Sequence, residues 1–290
     1  MLAYHRPGTL QEALALRAAG DVLVLAGATD VYPAKAARTA WGDMRDKDVL
    51  DISRLAELRG IAEADAHWRI GALTTWSEVI AAELPALFDG LKLAGKEVGG
   101  AQIQNRGTIA GNVCTASPAG DGLPNLLALD ADIELANASG TRRVPVREFL
   151  IGYRQTACRA DEIVTAILVP KPGSGEVRSH FLKLGARKYL VISIAMVAGI
   201  LEIGADGRIS AARIAVGACS AVPQRLAVLE AKLTGAALAD TPDMASTEHV
   251  AQLTPIDDIR ASADYRRHAA LMLVRDLLSD LARSDRRRAA

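Results

Sequence analysis

The stretch Ile103-Gln104-Asn105-Arg106-Gly107-Thr108-Ile109-Ala110-Gly111-Asn112-Val113 runs on into Cys114-Thr115-Ala116-Ser117-Pro118-Ala119-Gly120-Asp121-Gly122-Leu123-Pro124. Two glycines, Gly107 and Gly111, bracket Thr108, and Asn112 follows the second. Glycine lets a backbone approach a ligand closely, and Thr and Asn place short donors and acceptors beside it. The wider tract from Ala94 to Gly122 holds 7 of the 24 glycines in 29 residues and is expected to be one long small-residue loop. Such a loop inside a compact domain is uncommon and usually functional, a flexible surface loop being the alternative.

Working outward, Leu25-Ala26-Gly27-Ala28-Thr29-Asp30 is an apolar strand entering a glycine turn. A turn of this kind exposes consecutive backbone N–H groups that can cradle a pyrophosphate without a lysine. It is neither GxGxxG nor a Walker A sequence, and taken alone a tight turn explains it as well. Together the two segments supply two phosphate-sized nests from different parts of the chain, as a dinucleotide extended across two domains needs.

Between and beyond them the pattern is mixed. Thr9-Leu10-Gln11-Glu12 opens a short helix with a capping-box pattern, stopped by Gly20. Strands are expected at 21–26, 48–52 and 68–72, helices from Trp76 and from Ala86, and strands again at 133–136, 143–146 and 162–169, with a turn at Ser139-Gly140. Lys171-Pro172-Gly173-Ser174-Gly175 reads as a linker. Two long strands, 192–203 and 208–218, flank a hairpin turn at Gly204-Ala205-Asp206-Gly207. Three helices close the chain; the last, 264–283, sets Leu271, Val274, Leu278 and Leu281 on one face. The expected class is α+β, in three parts: 1–58, 59–175 and 176–290. Trp68 and Trp76 are expected to fill a small core.

Composition excludes several functions. With 34 Lys+Arg against 34 Asp+Glu the chain lacks the basic footprint of a nucleic-acid binder. Three cysteines, Cys114, Cys158 and Cys219, make neither a disulfide framework nor a CxxC pair, so no cysteine-held cluster or zinc is expected here. The opening MLAYHRPGTL has no signal-peptide apolar run, and the apolar stretch 189–203 falls short of a membrane span, so a soluble, cytoplasmic protein is expected. Arg286-Arg287-Arg288 is expected to be a solvated, mobile basic tail.

These segments, in order, resemble the FAD-binding subunit of molybdenum hydroxylases, the xanthine dehydrogenase and carbon monoxide dehydrogenase family. Leu25 to Asp30 is similar to the family's first pyrophosphate loop, and Asn105-Arg106-Gly107-Thr108-Ile109-Ala110-Gly111-Asn112 to its second flavin loop. Val49-Leu50-Asp51-Ile52, Ile70-Gly71-Ala72-Leu73-Thr74-Thr75, Gly152-Tyr153-Arg154, Asp161-Glu162-Ile163-Val164 with Pro170, and Lys183 with Arg187 match further family segments. Ala116-Ser117-Pro118 with Asp121 and Pro124 looks like the xanthine dehydrogenase branch.

The resemblance implies a two-part FAD-binding domain of the vanillyl-alcohol oxidase type, followed by a domain of antiparallel hairpin and helices. It implies that Leu25, Ala26, Gly27, Ala28, Thr29, Asp30 and Val31 surround the pyrophosphate. Thr108, Gly111 and Asn112 would hold its other side, with Cys114 and Gly120 next to them and Asp121 near the adenosine or flavin end. Val164 would pack on adenine, and Lys183 would approach the isoalloxazine as a fixed cation, the catalytic residue of this chain. From the residues alone Lys183 reads as a solvated strand lysine, Cys114 as a packing residue rather than a redox thiol, and His180 as structural.

Two departures stand out: Leu93 where the family often has an aromatic over the flavin, and Lys188-Tyr189-Leu190-Val191-Ile192 without the usual acids, which leaves the acceptor open. The implied function is electron transfer from iron–sulfur clusters of a partner subunit, through FAD, to NAD or another acceptor. The implied partners are that subunit and a molybdopterin-binding large subunit, in a dimer of heterotrimers. Purines or other N-heterocycles are the expected substrates of the complex. A carbon monoxide or aldehyde dehydrogenase flavoprotein, or a self-sufficient flavin oxidoreductase, is the alternative.

Overall fold

The computed structural model describes residues 3–33, 36 and 47–283; the basic triplet Arg286-Arg287-Arg288 lies outside the described residues. Strands β1 (Tyr4–His5), β2 (Leu23–Leu25) and β3 (Val49–Asp51) form a parallel sheet in the order β1-β3-β2, with helix α1 (Leu10–Ala19) between the first two in sequence. Thr9 caps α1 by accepting from Glu12 N at 3.2 Å. The Glu12 carboxylate reaches one residue further back than a capping box does, to Gly8 N at 2.7 Å.

A five-stranded antiparallel sheet follows, β4-β5-β10-β6-β7, from β4 (Ile61–Glu63), β5 (His67–Gly71), β6 (Asp132–Asn137), β7 (Gly140–Pro145) and β10 (Ile163–Pro170). The continuous apolar run of β10 fits its place at the centre, where all but its last residue are buried. The helices between β5 and β6 are α2 (Trp76–Ala81), α3 (Asp89–Glu97), α4 (Ala101–Gln104), α5 (Ile109–Thr115) and α6 (Gly122–Ala128), and α7 (Val146–Phe149) follows β7. A small hairpin of β8 (Leu150–Gly152) and β9 (Gln155–Thr156) precedes β10.

The expected long loop from Ala94 to Gly122 is therefore a set of short helices. Thr108 caps α5 by accepting from Gly111 N at 3.0 Å. Part of the glycine surplus has a packing cause: a Cβ at Gly122 would meet the Trp76 ring at 2.6 Å, and one at Gly95 would meet it at 3.1 Å. Trp76 is buried in the largest core cluster, and Trp68 packs against that cluster edge-on to Phe88, so neither serves a small separate core.

The third sheet, β11-β12-β13-β14, comprises β11 (Glu176–Leu184), β12 (Ala195–Ile203), β13 (Ile209–Gly217) and β14 (Gln224–Arg225), all antiparallel. Helices α8 (Ala227–Leu233) and α9 (Ala263–Ala282) cover one face. The expected α9 stripe of Leu271, Val274, Leu278 and Leu281 is buried there. The other face, through Met196, Ala198, Ile200 and Ala215, joins the Trp76 core. This double burial brings β11 against α3 and the β12 entry against α6. The first sheet has a smaller core, which includes Leu73, Ala136 and Ile163 of the neighbouring unit. Among the described residues no helix is long and apolar enough to cross a membrane.

Candidate functional site

A cleft of about 1240 Å³ opens between the first sheet, the α4–α6 helices, the start of β10 and the segment 190–192 that joins β11 to β12. That exceeds the ~300–1,000 Å³ of common small-ligand pockets and suits an extended ligand. One wall is the turn after β2. A Cβ at Gly27 would collide with the carbonyl of Arg106, whose carbon lies 2.7 Å away, so the first glycine turn is seated directly on the second segment. Ala28 then takes a left-handed conformation at φ 66, which strains a residue with a side chain and turns the chain sharply. A Cβ at Gly107 would lie 3.4 Å from the Thr29 hydroxyl, which marks how closely the two segments approach.

The opposite wall is α5 and the start of α6. Gly111 is required because Thr108 Oγ1 would stand 2.8 Å from any Cβ there. Asn112 is wedged beside Gly122 and Gly120, where Cβ atoms would lie 2.9 and 3.3 Å from its Oδ1 and Nδ2. Its Oδ1 is buried and has no hydrogen-bond partner. Such an orphan costs about 1–3 kcal/mol unless a donor reaches it. The residue lines the cleft, with this oxygen turned in against Gly122.

Asp121 is 7% exposed and also lines the cleft. Lys183 Nζ donates to its Oδ2 at 2.8 Å and Ser193 Oγ donates to its Oδ1 at 2.6 Å. Burial pushes this carboxyl above the usual range, against the pull of Lys183 and Ser193. Cys114 lines the cleft with its side chain exposed to that space, and the protein around the cleft, with a smaller push from Cys158, raises its thiol to about 12. A thiol held so far from ionisation is a poor nucleophile, and its exposed surface is available for contact with a ligand in the cleft.

Val164 lines the cleft where β10 carries a register shift between Val164 and Ala166. Beyond it, buried Glu162 is gripped by Arg142 at 2.6 and 2.8 Å, while Arg17 donates to the Glu162 carbonyl at 3.3 Å. On the outside, Arg154 Nη2 reaches both carboxylate oxygens of Asp30, at 3.2 and 2.9 Å, and Arg154 N donates to Ala116 O at 3.0 Å. The small hairpin is thereby tied to both glycine segments.

Leu25 through Val31, Thr108, Gly111, Asn112, Cys114, Gly120, Asp121 and Val164 thus all line one cleft. Lys183 does not line it; its ammonium stands behind Asp121. Leu93 packs on the main core rather than into the cleft. Sequence reasoning assigns no site role to Ser193, Arg17 or the wall residues Glu97, Val98 and Gly99, and it brings in Ile103 and Glu162 only as parts of longer segments. No local pattern marks Ser193, since its partner lies 72 residues away. The cleft is backbone-lined at Gly27, polar at Thr108 and Asn112, and has room for an elongated ligand. A dinucleotide with a pyrophosphate and a hydroxyl-rich linker fits that donor set.

Residues 1–172 match the family described as the FAD binding domain in molybdopterin dehydrogenase, and residues 180–281 match the CO dehydrogenase flavoprotein C-terminal domain. The chain is 31% identical over 286 residues to the xanthine dehydrogenase FAD-binding subunit of Escherichia coli O157:H7, covering 96% of this chain and 95% of that one. It is 30% identical over 279 residues to the nicotine 6-hydroxylase medium subunit of Paenarthrobacter nicotinovorans, covering 94% and 95%. Among solved structures, it superposes on carbon monoxide dehydrogenase of Hydrogenophaga pseudoflava with a TM-score of 0.85 at 29% identity, over 97% of this chain and 96% of that chain.

Proposed function

This chain belongs to the FAD-binding medium subunits of the molybdenum hydroxylases, and from that premise we propose that its cleft holds FAD in extended form, with the pyrophosphate between the Gly27 turn and α5. FAD supplies a carrier that can take electrons from one-electron donors and pass them to a two-electron acceptor. The residues of this chain supply the rest. Backbone N–H groups at Gly27 to Thr29 hold phosphate oxygens without a cation. Asn112 on α5 would reach phosphate or ribityl oxygens. Val164 and Cys114 exclude water along the cleft, and Asp121 with Lys183 behind it sets the charge at the ring end. Lys183 acts through Asp121 in this reading, not by touching the ring.

The observation that carries the proposal is a cleft of about 1240 Å³ lined by both glycine segments, the turn Leu25 to Val31 and the stretch Thr108 to Asn112. The proposed partners are an iron–sulfur subunit and a molybdopterin-binding subunit, assembled as a dimer of heterotrimers in the cytoplasm, with NAD or another electron acceptor. The proposed divisions are 1–58 and 59–175 for a two-part flavin domain of the vanillyl-alcohol oxidase type, and 176–290 for the C-terminal domain. An N-heterocyclic substrate for the complex is supported by the names of the xanthine and nicotine relatives. A carbon monoxide dehydrogenase medium chain at 29% identity keeps a non-heterocyclic substrate as the second reading.

The test is direct. The purified chain incubated with FAD should turn yellow after desalting, oxidise NADH, and hydroxylate no organic substrate alone. A chain that stays colourless at saturating FAD overturns the proposal. Co-purification of its partners, followed by substrate screening of the complex, decides between heterocycles and carbon monoxide.

A further inference from the structure

Asp121 is the carboxylate of the cleft wall that is held entirely from the C-terminal sheet. Each of its oxygens has one side-chain partner: Lys183 Nζ on Oδ2 and Ser193 Oγ on Oδ1. Ser193 is fully buried. Its hydroxyl is placed by the backbone, because Arg260 Nη1 donates to the Ser193 carbonyl at 3.0 Å and Arg266 Nη1 donates to the Ile194 carbonyl at 2.8 Å. Both arginines share Asp258, at 2.6 Å each. An ionic cluster of the C-terminal part thus anchors the strand entry that carries Ser193, and the hydroxyl is aimed at one carboxylate oxygen.

From this geometry we propose that Ser193 is a positioning residue of the cofactor site, its hydroxyl fixing one Asp121 oxygen so that the other stays paired with Lys183 at the cleft wall. The proposal rests on the reading of the cleft as the FAD site. The charged groups facing Asp121 are Lys183 from β11 and Glu97 from the end of α3, with Arg260 reaching it only through Ser193. Burial and Glu97 favour the protonated acid, while Lys183 and Ser193 favour the carboxylate. Removing one hydrogen bond shifts that balance toward protonation. A protonated Asp121 leaves Lys183 as an uncancelled cation beside an anionic ligand, where a fixed charge in a water-poor site acts strongly.

The experiment uses the full chain as wild type, Ser193→Ala and Ser193→Thr, from pH 5 to 8. Two quantities are read: the FAD dissociation constant by flavin fluorescence, and the thermal midpoint of the chain without FAD. For a buried acid with a raised folded value, the cost of burial is absent below about pH 4 and grows as pH rises through the folded value. The midpoint deficit of Ser193→Ala should therefore widen with rising pH. Its FAD dissociation constant should rise about three- to tenfold across the range, one pKa unit being tenfold. Wild type should show the same trend displaced to lower pH, and Ser193→Thr should follow wild type. Parallel profiles for wild type and Ser193→Ala, offset equally at every pH, would overturn the proposal and leave Ser193 a packing residue. Wild type that takes up no FAD at any pH overturns the cofactor reading instead, while the midpoint profiles still decide whether Ser193 controls Asp121.

Discussion

At Gly27 the cleft wall is backbone laid on backbone, whereas at Asp121 it is a buried carboxylate held by two side chains from another sheet. The first region owes its shape to the absence of atoms, and its described ion pair, Arg154 with Asp30, is about half exposed to solvent. The second owes its shape to charges taken out of water, each satisfied by one partner. The two should fail differently. Steric changes should dominate at Gly27 and be insensitive to pH and salt, while charge changes should dominate at Asp121 and depend on pH.

The largest expected effect is at the charged region. Lys183→Met keeps the length of the side chain but strands a carboxylate that is 7% exposed. Breaking a buried pair from one side costs about 3–5 kcal/mol. The loss should appear in urea unfolding at pH 7 and fade as pH falls toward about 4, where Asp121 takes up a proton in both states. Lys183→Met with Asp121→Asn should recover most of the stability. A pH-independent loss would mean that the lysine matters for packing and not for charge.

This contrast also explains what was legible in the sequence. The Gly27 turn and the Thr108–Asn112 segment could be found because each is contiguous and its glycines are adjacent to the atoms they make room for. The charged region could not, because Lys183 lies 62 residues and Ser193 72 residues from Asp121, and only the docking of β11 and β12 on the helices unites them. Within the segment Ala94 to Gly122 the glycine count pointed to a loop, since glycine is a poor helix former. The short helices form there because Thr108 caps α5 and because Gly95 and Gly122 are spaces for the Trp76 ring. Strand and helix positions elsewhere followed from apolar period, as in β10 and the buried stripe of α9.

Next in size is Gly27→Ala. Its Cβ would press into the Arg106 carbonyl, and neither backbone can yield without moving a phosphate nest. A displacement of about 1 Å in a preorganised site costs on the order of 100-fold. FAD affinity should fall by about that factor at every pH and salt concentration, with circular dichroism unchanged. Normal FAD binding by this variant would break the steric half of the comparison.

Asn112→Ala is expected to be milder and to separate folding from binding. It removes an acceptor that is buried without a partner, so the chain without FAD should be no less stable than wild type apart from the small cavity left behind. FAD affinity should drop about tenfold, the value of one hydrogen bond of about 1–1.5 kcal/mol. Equal losses of stability and affinity, measured by thermal melting with and without FAD, would show that Asn112 serves the fold and not the ligand.

The smallest effect sharpens the comparison at its edge. Arg154 and Asp30 form the one charged contact described for the first glycine turn, and their side chains remain 40% and 52% exposed. An exposed pair contributes about 0.2–1 kcal/mol and is screened by salt. The hairpin that carries Arg154 is tied down separately, since Arg154 N donates to Ala116 O whatever the side chain. Arg154→Gln should therefore change FAD affinity by less than about fivefold, the factor that 1 kcal/mol represents, and the change should disappear in high salt. If instead it matched Gly27→Ala in size and resisted salt, the first turn would be held by charge after all. The division between a wall made of backbone and a wall made of ions would then have to be abandoned.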